Sequence, residues 1–297
     1  MNWDSIATLF SAKTNLFWAA LVSAVVSAAV SYFFRKREVR HRLQIEYEYE
    51  QRKKLRNLIG RYHDRLLNAS NSLSFRFWNL YSNHEKNWLR VAGAYGPQQY
   101  YFHSFAHRFL TVGTLIRQFE REAVFVDARI AEKKDFLFLR YLAALQWCVT
   151  DVALFAELPY DSFDETDHFF SDSFRNYCDI CVGNESEVIG FDAYVQFVQG
   201  NRSLDSVLRF FDYLSPTEER YRWDRLVSVH LLLVTFINSF GYREQHTSKE
   251  KVKRIAENIR NREVLSNLVA WLPRHGLGED RESKTLIRTC ERIANAA

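Results

Sequence analysis

The sequence predicts an all-α fold, with a single N-terminal transmembrane helix followed by a large helical cytoplasmic domain. Three observations carry this reading. Glycine (10) and proline (4) are scarce in 297 residues, whereas β-sandwiches and nucleotide-binding α/β folds use many such residues in turns and phosphate loops. Apolar positions recur at steps of three and four, and no period-two alternation lasts more than a few residues. The stretch Thr14 to Phe34 runs for 21 residues without a charge. That is about 31 Å of helix against a hydrocarbon core of roughly 30 Å.

Residues 1–13 form a short external tail and residues 14–34 the span. Phe17 and Trp18 at one end and Tyr32, Phe33 and Phe34 at the other match an interfacial aromatic belt. A cleavable signal peptide needs positive charge before its apolar stretch and a small-residue cleavage site after it. Here only Lys13 precedes, beside Asp4, and the sequence that follows is bulky and basic. Ala20, Ala24 and Ala28, with Ser23, Ser27 and Ser31, make one stripe of small side chains suited to close helix packing in lipid.

Residues 35–92 read as a basic juxtamembrane segment and a long helix. Arg35, Lys36, Arg37, Arg40 and Arg42 are placed to contact anionic lipid. Together with Arg52, Lys53 and Lys54 they outweigh Lys13, so the positive-inside rule puts the N-terminus outside and the domain in the cytoplasm, at the plasma (inner) membrane. On this topology the glycosylation-like triplets at Asn68, Asn184 and Asn201 are chance matches. Leu55, Ile59, Tyr62, Leu66, Ala69 and Leu73 trace a coiled-coil-like seam. It can pair with a second copy or pack on its own chain, and the latter is the commoner use of such a stripe.

Gly93 and Gly96-Pro97 end that helix, and residues 93–297 read as the helical domain. Helices are expected over 98–122, 134–157, 163–181 and 191–199. Arg140 and Asp151 argue against a second span in 134–157, since each costs about 2.5–3.5 kcal/mol in the bilayer. Ser215-Pro216-Thr217-Glu218 reads as the start of a helix to about Phe240, and Thr247-Ser248-Lys249-Glu250 as that of another stopping before Pro273. A last helix covers 281–295.

No motif names a reaction. Arg56 to His63 and Arg225 to His230 have the Arg-x(4–6)-His spacing of the ribonucleases with the all-α HEPN fold, a resemblance that implies RNA cleavage in a composite dimer site. Arg35 to His41 has the same spacing, and roughly two to three matches arise by chance in this composition. Cys178 and Cys181 form a CxxC with His168 ten residues upstream, too few ligands for a zinc site and without the βαβ context of a redox motif. Buried core cysteines are the simpler reading. His103 and His107 share a helical face but lack the glutamate of HExxH. Glu165-x-x-His168 is half of a di-iron motif, and Asp161, Asp164, Glu165, Asp167 and Asp172 make an acidic patch without EF-hand order, as at a solvated helix start. No metal or cofactor is therefore expected. The net charge of +4 gives no footprint for nucleic acid. The leading expectation is a membrane-anchored helical protein that binds protein partners or itself, with enzymatic activity left open. The alternatives are a membrane-anchored effector enzyme, such as a HEPN-like ribonuclease, or an oligomeric effector that perturbs the bilayer.

Overall fold

The structure, a computed structural model, describes residues 3–124, 126–163, 165–184 and 187–296; of residues 3–17, 19 and 128 it describes the backbone alone. The described helices are α1 (Trp3–Asn83), α2 (Tyr100–Ala123), α3 (Lys133–Thr150), α4 (Ser171–Ile180), α5 (Phe191–Gly200), α6 (Asp205–Phe211), α7 (Arg222–Phe240), α8 (Lys249–Ala256), α9 (Arg262–Arg274) and α10 (Arg281–Ala294). Among the described residues there is no strand, only an isolated bridge between Val182 and Val188. The fold is all-α.

The chain divides into two compact units, Met1–Lys54 and Leu55–Ala297, the boundary falling inside α1. In the first unit every described side chain from Trp18 to Tyr47 is exposed. Among the described residues no helix is long and apolar enough to cross a membrane. The side chains of Thr14–Phe17 and Ala19, part of the expected span, lie outside the described residues, and the described run from Ala20 meets Arg35 after fifteen residues. The transmembrane helix is thus not established by the fold.

In the second unit α1 turns a buried stripe inward. Leu55, Tyr62, Leu66 and Leu73 are each at most 3% exposed, and Leu58, Leu67, Phe77 and Leu80 join them. Tyr62 meets Phe119 of α2 edge-on at 5.6 Å and donates to Glu122 at 2.6 Å. Phe77 meets Phe105 of α2 at 5.3 Å and stacks on His230 of α7 at 4.8 Å. Ile59 and Ala69 pack against the same core. The seam therefore packs on its own chain.

Helix α7 is the centre of this core. Every residue from Arg222 to Ile237 is buried, as expected of a helix apolar on all sides. It packs on α3, α8, α9 and α10, and meets α1 through the His230 contacts.

Several boundaries differ from the sequence reading for identifiable reasons. Ser215–Glu218 forms the expected local bonds, with Thr217 N–H on Ser215 Oγ and Ser215 N–H on a Glu218 carboxylate oxygen. The helix nevertheless starts only at Arg222, because Arg260 donates to the carbonyls of Pro216, Glu218 and Arg220, which a helix would offer to its own amides. The segment ending near Pro273 is two helices, α8 and α9. Asn258 O accepts from Trp223 Nε1, Arg260 N–H is drawn to Asp224 at 2.6 Å, and Asn261 caps α9. Pro273 lies inside the last turn of α9. Helix α3 stops at Thr150, where Asp151 caps a short 3-10 turn over Val152–Phe155. Residues expected as a helix from 163 are irregular up to Phe170. There Asp161 binds Phe163 N–H, Glu165 binds Phe170 N–H, and Asp167 binds Tyr221 N–H, so the acids anchor a loop. Asp164 lies outside the described residues. Helix α6, seven residues long, shows too little periodicity to be read in advance.

Candidate functional site

The two Arg/His pairs occupy different settings. Arg56 is exposed on α1 and ion-paired with Glu132 and Asp135 across to the start of α3. His63, about two turns further along the same face of α1, has Nε2 on the Phe240 carbonyl at 3.2 Å and stacks on Phe138. This pair ties α1 to the ends of α3 and α7.

Arg225 and His230 are both wholly buried. His230 is gripped between Ser74 Oγ at 2.9 Å on Nε2 and Tyr81 Oη at 3.0 Å on Nδ1, both from α1. Without a carboxylate beside it, burial drives its pKa from 6.5 down to about 3, so the ring is neutral. A neutral ring without solvent access cannot exchange protons with a substrate. Arg225 donates to the carbonyls of Cys148, Asp151 and Asp167 at 2.6–3.0 Å and lies over the Phe155 ring. Burial lowers its pKa.

The arrangement makes sense as capping from outside. Cys148 and Asp151 are at the C-terminal end of α3, where carbonyls lack amide partners and the helix dipole is negative. Arg222, one turn before Arg225, does the same to α6, donating to the carbonyls of Arg209 and Phe210 while pairing with Glu218 at 2.7 Å. Between them Asp224 accepts the Arg260 amide and its guanidinium at 3.0 Å. The first turn of α7 thus sends three charged side chains to close three chain ends. The local sequence RWDR looks like an exposed first turn. Its burial was not readable because every partner is remote in sequence.

The metal candidates separate likewise. Cys178 and Cys181 are buried free thiols. Burial raises Cys178 well above the usual thiol range and Cys181 to about 12. Cys148 and Cys290 are likewise buried and raised to about 12. The small Gly113 of α2 leaves room for the Cys178 sulfur, since a Cβ there would stand 2.8 Å from it. His168 is bonded to Tyr160 Oη and lowered in pKa by burial and then by Arg225. Among the described residues no group of three His, Cys, Asp or Glu side chains is placed to hold a metal. His103 Nε2 serves the carbonyls of Tyr95 and Gly96, and His107 Nε2 that of Ile189, so each fixes a loop.

What remains open to partners is surface. A groove of about 670 Å³ runs between α8 and α10. Lys249, Lys253, Arg262, Arg288 and Arg292 line it, against Glu250 and Glu257. Lys253 pairs with Glu257 at 3.5 Å, and Arg262 donates to the terminal carbonyls of α10. The groove is a net basic surface.

No family model, curated protein or solved structure matches this chain.

Proposed function

We propose that the chain is a single-pass membrane-anchored α-helical protein, N-terminus outside, whose cytoplasmic domain binds protein partners or self-associates. The observation that carries this is the uncharged run Thr14–Phe34, closed by Tyr32, Phe33 and Phe34 and followed at once by Arg35, Lys36 and Arg37. The described side chains from Ala20 to Phe34 are exposed on every side of the helix and need another cover, and an uncharged run of 21 residues has the length to fit a bilayer. The exposure of Leu21, Val22, Val25, Val26 and Val30 supports that reading. The stripe of Ala20, Ser23, Ala24, Ser27, Ala28 and Ser31 suits contact with a second spanning helix. The burial of Arg225 and His230 supports a binding module over a nuclease. The basic groove between α8 and α10 offers a face for acidic partners.

Proteolysis of sealed spheroplasts tests the topology. Residues 43–297 are expected to survive external protease and to be digested after lysis. Digestion before lysis overturns the orientation. Recovery of the full chain in the soluble fraction overturns the anchor. Replacing Arg35, Lys36, Arg37, Arg40 and Arg42 by Gln is expected to give mixed orientations, because each contributes about 1 kcal/mol near an anionic surface.

A further inference from the structure

A pocket of about 430 Å³ opens where α1 ends, against the loop before α2 and the segment between α6 and α7. Its floor is apolar, formed by the buried Leu80, Leu89 and Leu214. At the mouth the Arg90 guanidinium lies over the Tyr213 ring, 5.2 Å from its centroid, and Trp88 packs on Tyr101 at 4.7 Å. Asn87 and Thr217 add amide and hydroxyl groups to the rim.

The backbone around this concavity is strained. Four described non-glycine residues have left-handed φ, namely Asn87, Ala92, Glu157 and Tyr213. Three of the four belong to the loops that build the pocket. Asparagine tolerates this conformation, but for tyrosine it is a true outlier. The strain is held by dedicated bonds. The Asp212 carboxylate accepts the successive amides of Val91, Ala92 and Gly93 at 2.9, 3.1 and 2.7 Å. Tyr213 N–H bonds Leu89 O at 2.9 Å. The product is one fixed geometry, Arg90 stacked on Tyr213. Tyr213 is 45% exposed, so packing gives little in return for the strain. Strained residues gathered at a concavity are a mark of a working site.

The charges narrow the ligand. Arg222 and Glu218 neutralise each other in the wall, and Arg220 is held by Asp167. In the 3-10 turn after α1, His84 bonds the Tyr81 carbonyl at 3.1 Å and Lys86 lies over the Trp88 ring, 4.8 Å from its centroid. Arg90 lies beyond that turn and has no carboxylate partner among the described residues. An anion would complete it. Aromatic side chains, an apolar floor and hydrogen-bonding groups at the rim suit a flat ring with polar edges. The volume is that of a small-molecule site.

We propose that this pocket binds a small nucleotide, its phosphate on Arg90 and its base against the aromatic and apolar lining. Free phosphate engages Arg90 alone, and a nucleoside leaves Arg90 unmatched. This site is independent of the anchor and of the basic groove.

Isothermal titration of the purified full chain with adenosine monophosphate, adenosine and inorganic phosphate tests the proposal. Saturable binding of the monophosphate is expected, about tenfold or more tighter than either fragment. Arg90→Gln is expected to weaken it about tenfold without lowering the melting temperature. Tyr213→Gly removes the left-handed strain, so it is expected to weaken binding while melting no lower than the unmutated chain, which separates loss of the site from loss of the fold. Absence of saturable binding at millimolar monophosphate overturns the proposal. So does phosphate binding as tightly as the nucleotide, or binding unchanged in Arg90→Gln. A loss in Arg288→Gln equal to that in Arg90→Gln moves the ligand to the groove between α8 and α10 and overturns it as well.

Discussion

Two apolar helical stretches of similar length meet opposite fates in this chain. In α7, Leu226 to Ile237 is covered on all sides by protein, while in α1 the run from Ala20 to Phe34 has no protein cover. Apolar character alone does not separate them. The difference lies in what their polar atoms do and how large their side chains are. From Leu226 to Ile237 the polar side chains have partners: Ser228 and Thr235 donate back to Asp224 O and Leu231 O, and His230 bonds Ser74 and Tyr81. Large Leu and Phe side chains interlock with α1 and α3. In α1 the polar atoms from Ala20 to Ser31 are serine hydroxyls among alanines and valines, a pattern that permits close approach of a second helix. A buried protein helix needs bulky neighbours and remote partners, whereas the proposed membrane helix would rely on length and a small-residue face.

Perturbations of these two surroundings are expected to differ in kind. Leu66→Lys should have the largest effect. The side chain is 0% exposed in the packed half of α1, and a buried unpaired ammonium costs several kcal/mol. Circular dichroism of the mutant should show loss of cooperative melting. A mutant that melts normally but loses oligomer would instead place the seam between subunits.

Asp224→Ala should come next, at about 3–5 kcal/mol, because it leaves the Arg260 guanidinium and amide without their carboxylate. Replacing both as Asp224→Asn with Arg260→Gln should recover part of the loss, read as a double-mutant cycle in urea.

His230 gives a smaller, pH-dependent effect. Its folded-state pKa lies near 3 and its unfolded one near 6.5. Between those values the unfolded chain binds a proton that the folded chain does not. Stability is therefore full above pH 6.5 and falls as pH drops, by up to about 1.4 kcal/mol per unit from this residue. His103, His107, His168 and His275 are shifted the same way by burial and add to the slope. Urea melts at pH 7, 6 and 5 should be shallower by one proton in His230→Gln. An unchanged slope would mean that His230 is protonated in place.

Ala24→Ile should be the mildest for folding. The residue is exposed, so melting of the helical domain should stay within about 0.5 kcal/mol. Crosslinking in native membranes should fall as the bulkier side chain opposes close approach. A monomeric pattern for the unmutated chain would leave the stripe as a docking face for another spanning protein.

The elements that were legible in advance are those whose signal is local. The α2 and α10 helices lie within two residues of their expected bounds because periodicity, glycine–proline breaks and caps act within a few residues. The start of α7 was not legible because Arg260, forty residues away, takes the carbonyls that its expected first turn would use. The burial of Arg222, Asp224 and Arg225 was hidden for the same reason. The pocket beside Arg90 left no local signature either. Left-handed Ala92 and Tyr213 depend on Asp212 and Leu89, and no spacing rule marks them.

The four thiols make the domain its own opening gauge. Cys148 sits in α3, Cys178 in α4, Cys181 just past its end and Cys290 in α10, all out of reach of solvent and with raised pKa. A thiolate-seeking reagent therefore reads the fraction of time each locale is open, not surface chemistry. Pulse alkylation followed by peptide mapping would time each locale separately, without adding any label. Locales that modify together open as one cooperative unit. One that modifies first marks where the domain begins to come apart.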